Sequence, residues 1–216
     1  LLQSSAASDV YKRQNISLRN DFKIKKPRIA VTALNPHAGD GGLIGDDEKV
    51  KILPAINFCK KKKISVEGPL PADSAFIKNN QNSDGSIPST DEGEHDHWDH
   101  LESAMGLAIS GFRDEFEAAL DWSKSNQNPD GSWYELYSSS SPIEMNKQSN
   151  HASYFAVALF CHYLLYKDHT YINSMQEPLT RCLSFVSSLQ SKSGAIIWNI
   201  DEKGNKDFDY LLTGNS

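Results

Sequence analysis

The spacing of apolar positions changes period once along the chain, and the change divides it. Arg28-Ile29-Ala30-Val31-Thr32-Ala33-Leu34 is an apolar, β-branched-rich run of strand length that stops at the breaker pair Asn35-Pro36, so a buried strand is expected there. A loop holding Gly39, Gly41, Gly42 and Gly45 follows. Asp46 or Asp47 is then placed to cap a helix whose Val50, Leu53 and Ile56 recur at helical spacing. Pro54 inside that helix predicts a kink or a late start, because it has no N–H for the preceding turn. Ile64-Ser65-Val66 reads as a second short strand. The stretch is then a β-α-β unit with parallel strands and a right-handed crossover.

After Phe76, strand-helix alternation gives way to long helical patterns separated by turns rich in Asn, Asp and Gly. Gln81-Asn82-Ser83-Asp84-Gly85-Ser86 is echoed by Gln127-Asn128-Pro129-Asp130-Gly131-Ser132, and more loosely by Gln190-Ser191-Lys192-Ser193-Gly194-Ala195. Three related turns mark an internal repeat. Helices are expected over Trp98 to Ser110, Arg113 to Asn126, Asn150 to Lys167 and Tyr171 to Gln190, paired into two hairpins. Met105, Ile109, Phe155, Leu159 and Phe185 fall at core spacing within them. The expected fold class is an α/β fragment, β-α-β and parallel, over residues 15–76, followed by an all-α helical-hairpin fragment over residues 77–216.

Composition narrows the function. A formal charge of -6 and a pI near 5.6 argue against nucleic-acid binding, which needs a concentrated basic face. The basic run Lys60 to Lys63 sits where a helix should end, facing the negative pole of its dipole. Cys59, Cys161 and Cys182 are odd in number and form no C-x-x-C pair, so neither a disulfide framework nor a thiolate zinc site is indicated and a reducing cytoplasm fits. No apolar run has the length of a membrane span, and a small-molecule substrate is the expected partner. The first methionine is Met105, so the chain is expected to be truncated. Residues 1–14 resemble a translated adaptor stretch and are set apart from the fold as a non-native leader.

Two motifs lie in the first piece. Leu34-Asn35-Pro36-His37-Ala38-Gly39-Asp40-Gly41-Gly42 and Gly68-Pro69-Leu70-Pro71-Ala72-Asp73-Ser74 together resemble the 4-hydroxythreonine-4-phosphate dehydrogenase family of vitamin B6 synthesis. The resemblance implies a homodimeric oxidoreductase dependent on NAD and a divalent metal. It also implies that His37 is one of three metal-holding histidines beside the substrate hydroxyl. After Ser74 the family's further metal, substrate and nucleotide segments do not follow, so neither NAD nor metal is expected to bind this chain well. Gly39-Asp40-Gly41-Gly42-Leu43-Ile44 is no dinucleotide fingerprint either.

The second piece offers other chemistry. His95, His97, Asp99 and His100 satisfy H-x-H-x-D-H, a pattern with which metallo-β-lactamase-like hydrolases gather zinc, although the polar segment before it is no strand. Asp96-His97-Trp98-Asp99-His100-Leu101-Glu102 and Asn150-His151-Ala152-Ser153-Tyr154 resemble bacterial prenyltransferase-like α/α-toroid proteins. That resemblance implies a ring of about six hairpins, of which two to three are present here, with inner loops converging on a cleft. Trp98, Trp133, Glu135, His151, Tyr154, Trp198 and Asp201 are the expected cleft residues, and aromatic rings beside carboxylates suit carbohydrate. Asp99 and Glu102, three apart at a helix start, share a face and are the candidate acid and base.

Overall fold

The computed structural model describes residues 2–33 and 48–207. The chain divides into two compact units, Leu1–Phe76 and Ile77–Ser216. The first opens with α1, Leu2–Asn20, so residues 1–14, set apart on sequence grounds, lie largely in a helix. Tyr11 and Leu18 of α1 pack against a small core of Ile29, Val31, Ile52, Ile56, Cys59 and Val66.

Strand β1, Arg28–Thr32, pairs in parallel with β2, Ser65–Leu70. Between them run a π-helical turn, Glu48–Ile52, and α2, Leu53–Lys61. β1 alternates, burying Ile29 and Val31 and exposing its other residues, so it is half-buried rather than fully buried. Pro54 occupies the first turn of α2, where its missing N–H costs nothing. The wider turn in front of it rotates the helix face. Ile52, Ala55, Ile56 and Cys59 are therefore buried while Val50 and Leu53 are exposed.

Helix α3, Ala72–Asn80, runs across the boundary between the units. The second unit then holds β3, Glu94–His95, α4, His97–Ile109, and α5, Arg113–Ser125. Next come β4, Leu136–Ser138, β5, Ser141–Glu144, and β6, Lys147–Gln148. Helices α6, Ser149–Tyr166, α7, His169–Ser174, and α8, Gln176–Ser188, precede β7, Asn199–Ile200, and β8, Lys206–Asp207. The expected fourth helix is thus broken at Met175. Pro178 explains the break: it has no N–H for the Ser174 carbonyl, which accepts from Lys124 Nζ at 3.1 Å instead.

A core of Leu101, Leu107, Phe116, Leu120, Trp122, Trp133, Phe155 and Phe185, among others, joins α4, α5, α6 and α8. Val157, Phe160 and Leu164 leave one stripe of α6 exposed. The repeated turns superimpose in their bonding. Asn82 N–H donates to the Ser86 carbonyl and Asn128 N–H to that of Ser132, each at 2.9 Å, and Ser191 N–H to that of Ala195 at 2.8 Å. Gly85, Gly131 and Gly194 take φ of 96°, 92° and 94°. Gln81 Nε2 and Gln127 Nε2 each reach both their own turn and a carbonyl of a later helix, Glu115 of α5 and Pro178 of α8 respectively. Turns of the same bonding also close over Thr90–Glu94 and Asp201–Asn205, which share with the repeat only a positive-φ glycine, Gly93 or Gly204, in fourth place.

Candidate active site

The site is assembled at the start of α4. Asp96 caps the helix, its Oδ1 accepting the Asp99 N–H at 2.7 Å. This cap fixes the first turn and sends Trp98 and Glu102, four residues apart, to the same face. Glu102 Oε1 accepts from Trp98 Nε1 at 2.6 Å and from the Tyr154 hydroxyl of α6 at 2.9 Å. The Trp98 and Tyr154 rings lie 4.7 Å apart, and Trp98 meets His151 edge-on at 6.2 Å. Glu135, before β4, accepts from Asn146 Nδ2 and Gln148 Nε2, both at 2.8 Å. Gln148 Oε1 in turn accepts from Trp198 Nε1 at 3.2 Å.

The charges of this group act on one another. Burial pushes the Asp96 carboxyl up, and Glu102 and Glu135 push it further against the bonds from the Asp99 and Trp98 N–H groups. Burial also raises Asp99, and the neighbouring Asp96 and Glu102 add to it. His151 is held down to about 4 by burial, opposed by the negative charges of Glu135 and Asp99. Asp96, Asp99, Glu102, Glu135 and His151 therefore share one electrostatic neighbourhood, walled by Trp98 and Tyr154.

The cleft residues expected from sequence are only partly brought together. Trp98, Asp99, Glu102, Glu135, His151 and Tyr154 meet, and Trp198 is tied in through Gln148. Trp133 is not among them. It is fully buried, stacks on His97 at 4.1 Å and donates from Nε1 to the Ser123 carbonyl at 2.8 Å. Asp201 closes its own turn instead, accepting from Lys203 N–H and Asn205 N–H. Asp96 was not singled out from the sequence, and the signal was its place three residues before Asp99 at a helix start.

The H-x-H-x-D-H residues serve the core. His97 Nδ1–H donates to the His151 carbonyl at 2.9 Å and its Nε2 meets the Ser123 hydroxyl at 3.2 Å. His100 Nδ1 accepts the Ile87 N–H at 3.1 Å while Nε2–H donates to the Ala119 carbonyl at 3.0 Å. His95 is fully buried between Trp122 and Tyr137. Both nitrogens of His97 and of His100 are thus already bonded. Among the described residues no group of three or more His, Cys, Asp or Glu side chains is arranged to hold a metal ion.

In the first unit, His37 and the surrounding Asn35 to Gly42 motif lie outside the described residues. His37 is the sole histidine in residues 1–76. A divalent ion held by three histidines does not fit that segment, whatever the position of His37.

Comparison with known proteins follows the same division. Residues 1–88 match the family model of the pyridoxal phosphate biosynthetic protein PdxA. The 4-hydroxythreonine-4-phosphate dehydrogenase of Prosthecochloris aestuarii is 46% identical over 76 residues, 35% of this chain and 22% of that protein. That of Caulobacter vibrioides is 48% identical over 60 residues, 28% of this chain and 18% of that protein. The MMP endo-(1,4)-3-O-methyl-alpha-D-mannosidase of Mycolicibacterium hassiacum is 32% identical over 138 residues, 64% of this chain. The chain spans 38% of that mannosidase's length. Among solved structures, the family 8 endoglucanase Cel10 of Klebsiella pneumoniae aligns over 59% of this chain and 43% of its own, at 16% identity and a TM-score of 0.48. A Clostridium perfringens alpha-amylase aligns over 62% and 42%, at 10% identity and a TM-score of 0.49. Among the described residues no helix is long and apolar enough to cross a membrane.

Proposed function

We propose that residues 77–216 carry the acid-base centre of a glycoside-cleaving site, acting on a mannose-type oligosaccharide. One observation carries the reading: Asp96 and Asp99, both pushed up, stand in one electrostatic neighbourhood with Glu102, Glu135 and His151, and Glu102 is bonded to the Trp98 indole and the Tyr154 hydroxyl. Hydrolysis of a glycosidic bond needs one carboxyl that keeps its proton for the leaving oxygen and another that activates water or attacks. Asp99 is the acid in this reading: although exposed, it is raised by partial desolvation and by the charges of Asp96 and Glu102, against the pull of His151. Glu102, oriented by the Trp98 indole and the Tyr154 hydroxyl, is the base, and Asp96 holds the helix start while raising Asp99. The 32% identity to a mannosidase supports the substrate class.

The test is release of reducing sugar from α-1,4-linked mannose and 3-O-methylmannose oligosaccharides by the 216-residue chain. Asp99→Asn and Glu102→Gln should each lower the rate by about 10²- to 10⁴-fold, the usual weight of a general acid or base. No release by the unaltered chain, or release undiminished in Asp99→Asn, sinks the reading. A second reading attaches to the first unit, because residues 1–88 match PdxA: this segment is part of an NAD-dependent dehydrogenase whose remaining metal ligands it does not itself contain.

A further inference from the structure

Helix α6 is apolar on both sides. Ala152, Phe155, Ala158, Leu159 and His162 face the core. On the opposite face Val157, Phe160 and Leu164, spaced i, i+3 and i+7, are 48%, 61% and 51% exposed. Neither Asp, Glu, Lys nor Arg occurs anywhere from Ser149 to Tyr166. Among the described helices of eight residues or more, α6 alone has none of them. A helix that is apolar all round is as a rule covered all round, and this one is not fit to cross a membrane. We propose that the exposed stripe of α6 is a self-association surface, covered by the same stripe of a second copy of this chain about a two-fold axis. The surface is separate from the acid-base centre and uses none of its carboxylates.

Charge identifies the partner. A face that laid a carboxylate or an ammonium on Val157, Phe160 and Leu164 would strip that group of water and give it nothing to pair with. The neighbouring helices present such groups to solvent: Asp99 and Glu102 on α4, Asp114 and Asp121 on α5, Glu177 on α8. The uncharged face that matches the stripe is the stripe itself, and a two-fold axis sets like surface on like. Antiparallel pairing also places the positive end of each helix dipole beside the negative end of the other. A lipid surface is the poorer fit. Helices that lie in the membrane interface carry Lys and Arg on their polar face, whereas the other face of α6 is core and the chain has a formal charge of -6. The stripe is small beside the roughly 800 Å² that each partner gives to a stable dimer. The dimer is therefore expected to form with rising concentration and to dissociate on dilution.

Sedimentation velocity of the full chain, from low to high micromolar concentration, should show monomer giving way to dimer. Phe160→Asp puts a charge on the stripe and should raise the dimer Kd at least about tenfold. Ile143→Asp, at an exposed apolar residue of the β4–β5 hairpin, should leave the Kd unchanged. Far-UV circular dichroism checks that both variants keep their helices. Cross-linking then tests which surfaces meet. Cys161 is free and half-buried next to Phe160, so Val157→Cys, Phe160→Cys and Leu164→Cys are each made in a Cys161→Ser background. Mild oxidation should trap a covalent dimer in at least one of them, because a disulfide needs Cα atoms within about 7 Å. A chain that stays monomeric throughout the range overturns the proposal, and flotation of that monomer with phosphatidylcholine vesicles would assign the stripe to lipid instead. A dimer weakened equally by Phe160→Asp and Ile143→Asp, or by neither, overturns it as well. Should Phe160→Asp fail to fold, the cross-links decide: a dimer that none of the three cysteines traps is built on another surface.

Discussion

The two units present opposite relations between signature and assembly. Residues 1–76 match a named family by the letters of two motifs, yet hold one histidine and a buried core of Ile29, Val31, Ile52, Ile56, Cys59 and Val66. Residues 77–216 have no comparably long signature, but they bring Asp96, Asp99, Glu102, Glu135 and His151 into one field and build a core around Trp122, Trp133, Phe116 and Phe155. A motif records what a complete ancestor site used. A working site needs the remaining ligands and enough buried surface to hold them still.

Expressing the units apart should break the comparison most sharply. The 77–216 fragment is expected to keep a cooperative thermal transition, whereas residues 1–76 alone, with so small a core, should lack one. Circular dichroism melting of both fragments checks this. A cooperative melt of 1–76 would show that the small core suffices.

Acid should act next most strongly, and on the second unit. Burial holds His95 down to about 4, His100 to about 3 and His151 to about 4. Their folded pKa values lie below the unfolded value near 6.5, so the unfolded chain binds more protons in between. Stability is therefore fully present above about pH 6.5 and is lost as pH falls toward 4, by several kcal/mol in all, since each tenfold drop in proton affinity on folding is worth roughly 1.4 kcal/mol. Denaturant melts of the 77–216 unit at pH 7 and pH 4.5 measure it. Equal midpoints would mean that these rings are hydrated. His95→Phe should remove part of the slope without breaking a bond, because neither ring nitrogen of His95 is bonded, whereas both are in His97 and in His100.

Helix existence in the second unit was legible from apolar spacing, and Phe155, Leu159 and Phe185 are buried as expected, but the face of α4 was misjudged: Leu101, Ala104, Leu107 and Ala108 are buried while Ile109 is exposed and Met105 only partly covered. The short strands were not, since two to four residues such as Glu94–His95 or Lys147–Gln148 carry no period of their own. Pro178 did announce the break before α8, but the apolar pattern on both sides masked it. Trp98, Glu102 and His151 were named from their neighbours in sequence, and the fold brings them near one another. Trp133 was misplaced because aromatic residues next to a turn serve a cleft and a core equally well until packing decides. Asp96 hid behind its capping role, which does not exclude a chemical one.

A smaller effect tests the repeat. A Cβ at Gly131 would run into the Arg181 carbonyl of α8, whereas at Gly194 it meets nothing within 4 Å. Both positions have positive φ, which costs an alanine about 1–2 kcal/mol. Gly194→Ala should lose about that much, and Gly131→Ala at least about 3 kcal/mol once backbone collision is added. Equal losses in chemical denaturation would show that the Gln127 turn does not dock as closely as its hydrogen bonds to Gly131 and Pro178 indicate.

The smallest effect concerns the first unit's own signature, where the expected change is none. The chain should not reduce NAD in the presence of 4-hydroxythreonine 4-phosphate and a divalent metal, and His37→Ala should be indistinguishable from it. The family's chemistry, as the resemblance implies, rests on three histidines around one ion, and residues 1–76 supply His37 alone. A single imidazole neither selects nor retains a divalent ion. Without that ion the developing alkoxide and keto oxygen lose an electrostatic stabilisation worth several kcal/mol of barrier. A second copy of the chain does not repair the loss through this unit, since it brings only another His37. The histidines of 77–216 are no substitute, because among the described residues no three His, Cys, Asp or Glu side chains are arranged to hold a metal ion. Metal-dependent formation of NADH that disappears in His37→Ala would refute this and place a complete site where the sequence supplies one ligand.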